Sequence, residues 1–290
     1  MRMTLQAGLA LLLALPWAVP ASAAVVAPSA TAAAPAYQFA PVNQYNLQMT
    51  ARYWNPILHY VSQKSGVRLN LKLGRTAADT TAFILNNEVD FAFTNHLFSP
   101  DRAKLGWNVF GRRDGAPVHA QIVVPRDSKI TSLAELEGST IAFSGPEAML
   151  SYKIPHAELQ RRELRVNITF TGNMDSAFVQ LFSGRVQAAA VHSELAAEYA
   201  ERERKAFHVL WRSPPFNDLA LMASSRVPRS DLEAVADAFL NMHRDPAGSK
   251  VLAQAAALVH ASGPLAFVAA GEADYDDYRR FHQATPAAAR

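Results

Sequence analysis

Residues 67–96 read VRLNLKLGRTAADTTAFILNNEVDFAFTNH, and the reading of this stretch decides the fold. Val67, Leu69, Leu71 and Leu73 alternate with polar residues, the period of a strand with one buried face. Gly74 breaks the pattern, and residues 76–87 then read as a helix. Residues 89–94 follow as a short, mostly apolar run of strand length. Strand, helix and strand in this order form a βαβ unit, whose crossover is right-handed and whose strands run parallel.

The same alternation extends in both directions. Upstream, residues 37–42 read as a strand. Leu47, Ala51, Trp54, Leu58 and Val61 then fall on one helical face, with Gly66 suited to the C-cap. Pro56 either kinks this helix or begins its second half. Downstream, strands are predicted at 121–124, 140–143, 166–171, 186–191 and 207–211. Helices are predicted at 147–161, 175–182 and 194–204, and a short one capped by Ser132 and ended by Gly138. From residue 232 onward the chain reads as mainly helical. The fold class is α/β, with mostly parallel sheets.

The N-terminus carries Arg2, an apolar run over residues 9–15 and the tripeptide Ala21-Ser22-Ala23. This is the pattern of a secretory signal peptide over 1–23 with an Ala-x-Ala cleavage site. The apolar run falls short of the ~20 residues a bilayer span needs. Residues 24–36 then read as a disordered Ala/Pro tether. The chain has no cysteine, hence no disulfide and no lipid-anchor site. The mature protein is expected to be periplasmic, free of the membrane and monomeric. The formal net charge of +3 over 290 residues comes without a long Lys/Arg run, which argues against nucleic acid as a partner.

The catalytic signatures G-x-S-x-G, H-E-x-x-H, G-x-G-x-x-G and the P-loop are all missing. His243-Arg-Asp245 is a lone kinase-like tripeptide without its companion motifs. No enzymatic activity and no cofactor are expected.

Several segments in order carry a resemblance: Trp54-Asn-Pro56 followed by Gly66-Val67, Val89-Asp-Phe-Ala-Phe93, and Ile122-Val-Val-Pro-Arg-Asp-Ser128. Phe170-Thr-Gly172, Ala188-Ala-Ala-Val191 and Trp211-Arg-Ser-Pro-Pro215 continue it. Through them the chain resembles the periplasmic phosphonate/phosphite-binding proteins of ABC transporters, within the type 2 periplasmic binding fold. The resemblance implies two α/β lobes, 37–117 with 216–290 and 118–215, joined by two hinge segments, with ligand held between them. It also implies a small-molecule ligand and an inner-membrane ABC permease as partners; the alternative is a sensory binding protein that docks on a histidine-kinase sensor domain or a respiratory enzyme.

The ligand site departs from that family. Where the family has Asp-Pro-x-Ser-Thr-Ser-Gly-Tyr at a helix N-terminus, this chain has Gly145-Pro-Glu-Ala-Met-Leu-Ser-Tyr152. The hydroxyls that would hold phosphonate oxygens have become Ala148, Met149 and Leu150, and Glu147 adds a negative charge. Met174 and His192 replace other polar positions, and Asn95-His96 a pair of small residues. The expected ligand residues are Tyr45, Thr94, Asn95, His96, Glu147, Met149, Ser151, Met174 and His192. Phosphonate, phosphite and phosphate are poor candidates, and an organic ligand with an apolar part is the default. His96, Met149, Met174 and His192 also form a thioether–imidazole set that would suit copper, so a periplasmic copper carrier stays open, as does a purely protein-binding role. His119, near the first crossover, is expected to be structural.

Overall fold

The computed structural model describes residues 36–285, so the expected signal peptide and nearly all of the expected tether lie outside the described residues. The first part builds β1 (Ala36–Pro41), α1 (Leu47–Ser65), β2 (Arg68–Leu71), α2 (Ala77–Leu85), β3 (Phe91–Thr94) and β4 (Trp107–Arg113). Then come β5 (Ala120–Pro125), β6 (Thr140–Phe143), α3 (Ile154–Arg161), β7 (Asn167–Phe170), α4 (Met174–Phe182), β8 (Ala188–His192), α5 (Ser193–Glu203) and β9 (Phe207–Arg212). The chain ends with β10 (Ala220–Ser224), α6 (Arg229–Leu240), α7 (Pro246–Val259), β11 (Phe267–Val268) and α8 (Asp276–Ala284).

The strands form two sheets. One has the order β11-β4-β10-β3-β1-β2 and the other β7-β6-β8-β5-β9. Each is the centre of one lobe of a mixed α/β fold, and all described residues fall within one compact unit. The chain leaves the first sheet after β4 and returns after β9. The two crossing segments are stitched together: Val118 N–H donates to the Phe216 carbonyl at 2.7 Å and Phe216 N–H to the Val118 carbonyl at 2.8 Å.

The expectation of mostly parallel sheets is corrected. β1 runs parallel to β2 and β3, and β6 to β7 and β8. β10 runs antiparallel to β3 and β4, β11 to β4, and β5 to β8 and β9. The antiparallel pairings belong to strands that adjoin the crossovers. A chain that switches sheets enters the new one without a βαβ crossover, so nothing imposes parallel direction. β4, β10 and β11 have no clear alternation and escaped the sequence reading.

Local chemistry accounts for the helices around the cleft. In α1, Asn46 accepts from the Met49 N–H at 3.0 Å, and Gly66 closes the other end with a left-handed φ of 72°. The helix runs unbroken through Pro56, which is exposed, so water can serve the carbonyl that proline leaves unpaired. Trp54, Leu58 and Val61 are buried as expected, whereas Leu47 is exposed. Thr76 and Asp79 cap α2 reciprocally. The expected helix at 147–161 is broken in type. A π-helical turn, Met149–Lys153, precedes α3. Pro155 cannot donate to the ladder, and the wider turn sits immediately before it. The expected Ser132 cap is also corrected. The short helix is a 3-10 turn (Ala134–Leu136), and Ser132 Oγ donates to the Glu135 carboxylate at 2.8 Å.

Candidate functional site

A cavity of about 40 Å³ lies between the lobes. From the first lobe come Gln44, after β1, and Asn95 and His96, after β3, with Ala77 at the start of α2. From the second come Ser144, after β6, the residues of the π turn, and Met174 and His192 at the starts of α4 and α5. These positions are the carboxyl ends of strands and the helix starts that follow them, where open α/β sheets place their sites. The π turn supplies Met149, Leu150 and Ser151 to the wall, next to Ala148.

Of the sequence-predicted residues, Asn95, His96, Met149, Ser151, Met174 and His192 line this cavity. Tyr45, Thr94 and Glu147 do not. Tyr45 is buried beside it, its hydroxyl donating to Glu198 Oε2 at 2.7 Å. Thr94 accepts the His96 N–H at 3.1 Å and shapes the loop. Glu147 faces Arg102 at 2.7 Å and Lys153 at 3.1 Å. Burial would raise its carboxyl, but the two cations outweigh this and hold it at about 2. Its negative charge is spent on tying the lobes together.

The two histidines differ. His96 is 3 % exposed, and burial pushes it down to about 3, so it is neutral. Its Nδ1 meets Thr81 Oγ1 at 2.7 Å. His192 has both ring nitrogens engaged. Nδ1 caps α5 by accepting the Leu195 N–H at 3.5 Å, and Nε2 therefore carries the proton given to Asp218 Oδ1 at 3.1 Å. The other Asp218 oxygen accepts from Arg113 Nε at 2.9 Å and Nη2 at 2.5 Å. Burial would raise the Asp218 carboxyl, but Arg113 and His192 hold it well below the carboxylate range. His192 thus links the lobes by hydrogen bonds, and it does not offer copper a free nitrogen. Met174 Sδ accepts the His192 N–H at 3.3 Å. His119 is structural as expected, its ring meeting the Ser213 carbonyl at 2.8 Å beside the crossover.

Sequence reasoning missed the charged residues at the junction of the lobes. Asp218 and Arg113 lie near the crossovers, Arg102 in a 3-10 turn (Arg102–Leu105), and Glu198 within α5. None sits in a motif. Their one sequence signal is charge on otherwise apolar or irregular segments, which is too common to single them out. Loop contacts add to the junction: Ala77 N–H donates to the Gly172 carbonyl at 3.1 Å, and Asn46 to Asp175 at 3.2 and 3.3 Å.

Two lobes joined by two crossing segments, with a small, partly open cavity at their junction, are the architecture of the type 2 periplasmic binding fold. The chain belongs to the family described as "ABC transporter, phosphonate, periplasmic substrate-binding protein", matched over residues 39–275. A binding protein component of an ABC phosphonate transporter from Pseudomonas aeruginosa is similar at 17 % identity and a TM-score of 0.72, over 86 % of this chain and 85 % of that one. A Prochlorococcus marinus protein in complex with methylphosphonate is similar at 14 % identity and a TM-score of 0.72, over 86 % and 97 %. A Xanthomonas citri protein bound to ATP is similar at 16 % identity and a TM-score of 0.64, over 86 % and 95 %. At these identities the likeness is one of fold. No curated protein matches the chain. Among the described residues, no helix is long and apolar enough to cross a membrane.

Proposed function

We propose that the protein captures a small organic ligand of little net charge for uptake through an inner-membrane permease, and that phosphonate, phosphite and phosphate are not that ligand. The lobes in this reading comprise 37–117 with 216–290, and 118–215, with the paired crossovers as the hinge. The observation that carries the reading is the wall of the cavity: Ala148, Met149 and Leu150 line it, and neither Lys nor Arg does. A doubly charged anion there would lose charge-assisted hydrogen bonds worth roughly 1.5–3 kcal/mol each. Three such losses amount to several decades in affinity. The small cavity and its thioether and aliphatic wall favour a compact molecule with an apolar part. Copper is the weaker reading, because His192 and Met174 already serve other partners. Binding at the cleft without chemistry fits the family, whose members are substrate-binding components.

The test is calorimetric titration with methylphosphonate, phosphite and phosphate, beside native mass spectrometry of protein taken from its own periplasm. The expected result is no phosphorus-oxyanion binding at micromolar concentration and a small organic adduct. Tight methylphosphonate binding would overturn the reading and show that backbone N–H groups suffice.

A further inference from the structure

We infer that His96 reads the ligand through a bare ring nitrogen, so that the ligand must carry a hydrogen-bond donor, and that Thr81 is the positioning residue that sets this tautomer. The inference deepens the proposed function and rests on the cleft being the binding site.

The Thr81 hydroxyl lies 2.9 Å from the Ala77 carbonyl and 2.7 Å from His96 Nδ1. It has one hydrogen to give. Were it given to Nδ1, the hydroxyl and carbonyl oxygens would face each other at 2.9 Å with lone pairs only. Given to the carbonyl, it leaves Oγ1 free to accept from Nδ1–H, and both contacts become hydrogen bonds. The hydrogen-bond network therefore puts the ring proton on Nδ1 and leaves Nε2 with its lone pair.

The ring is held in place from its backbone. Its N–H donates to Thr94 Oγ1 at 3.1 Å and its carbonyl accepts from Arg102 Nη1 at 2.9 Å. The charged and titratable groups that face the ring are Glu147, Lys153, Arg102 and His282, and burial outweighs them in keeping it neutral. An imidazolium would attract an anion, whereas a bare nitrogen repels one. The preferred ligand class is a small uncharged molecule with an N–H or O–H group next to an apolar part. Met149 and Leu150 would meet the apolar part, and Nε2 the donor.

The experiment is ¹⁵N NMR of the histidine rings in the full protein between pH 5 and 8, repeated on Thr81→Val and Thr81→Ser. The expected result is an Nε2 signal of the unprotonated type throughout the parent protein. Thr81→Val should release the proton to both nitrogens, and Thr81→Ser should restore the parent pattern, which a merely structural role for Thr81 would not produce. A protonated Nε2 in the parent protein overturns the tautomer whatever the outcome of the phosphonate titration. Acetamide and N,N-dimethylacetamide then test the ligand class. A response of Nε2 to acetamide alone is expected; an equal response to both, none to acetamide, or a response only to Cu(I) overturns it.

Discussion

The Tyr45 hydroxyl donates to Glu198 Oε2 at 2.7 Å across the two lobes, with both side chains buried and Glu198 Oε1 left without a hydrogen bond. Burial raises the Glu198 carboxyl from 4.5 to about 7, and nearby Glu194 adds to this, while Arg113, Tyr45 and His192 pull the other way. Tyr53 also faces it. An acid whose value is raised in the folded protein favours folding when it is protonated. The contribution is therefore fully present below about pH 4.5 and is lost as the pH climbs through about 7. Stability is expected to fall between pH 5 and 8, by up to roughly 3 kcal/mol. Glu198→Gln should flatten this part of the profile. Urea unfolding at intervals across the range measures it, and an unchanged slope in the variant rules out Glu198 as the source.

Asp218 holds a buried guanidinium. Arg113 is 5 % exposed and is the cation against which Asp218 packs. Removing one partner of a buried pair leaves the other charge unpaired, a loss of roughly 3–5 kcal/mol. Asp218→Asn is expected to lose about that much, whereas His192→Gln, which removes one hydrogen bond and leaves the Arg113 pair intact, is expected to cost about 1 kcal/mol. Parallel urea titrations compare them; equal losses would mean that Arg113 is compensated elsewhere.

Arg102 and Glu147 form the ion pair between the loop after β3 and the loop after β6, at 2.7 Å. Their side chains are 17 % and 25 % exposed, so screening is partial. A double-mutant cycle with Arg102→Ala and Glu147→Gln is expected to show a coupling of about 1 kcal/mol that shrinks with added salt. Small-angle scattering should show the single variants more extended than the parent. A coupling near zero would mean that Lys153 alone satisfies Glu147.

The N-terminal pattern leads to one further expectation. Protein recovered from the periplasm should begin near Ala24, after the Ala21-Ser22-Ala23 site. N-terminal sequencing decides this, and an intact Met1 in a membrane fraction would contradict it.

The alternation of Val67, Leu69 and Leu71 and the apolar run at 91–94 marked parallel strands, because each has a buried face or is buried throughout. Gly66 and Thr76 marked helix ends through their own backbone or side-chain chemistry. The loss of hydroxyls at 148–150 was visible as soon as the segment was compared with the phosphonate-binding pattern, and six of nine expected ligand residues line the cavity. These properties are local in the chain. The tertiary structure alone decided the rest. It turned Tyr45 toward Glu198, which lies 153 positions away, and gave Glu147 to Arg102 rather than to a ligand. It also closed both nitrogens of His192 while sparing one on His96. The type of side chain at each of these positions was legible, but its partner was not. Partners are set when two lobes, built from segments far apart in sequence, are brought face to face, and no spacing within one segment records that meeting.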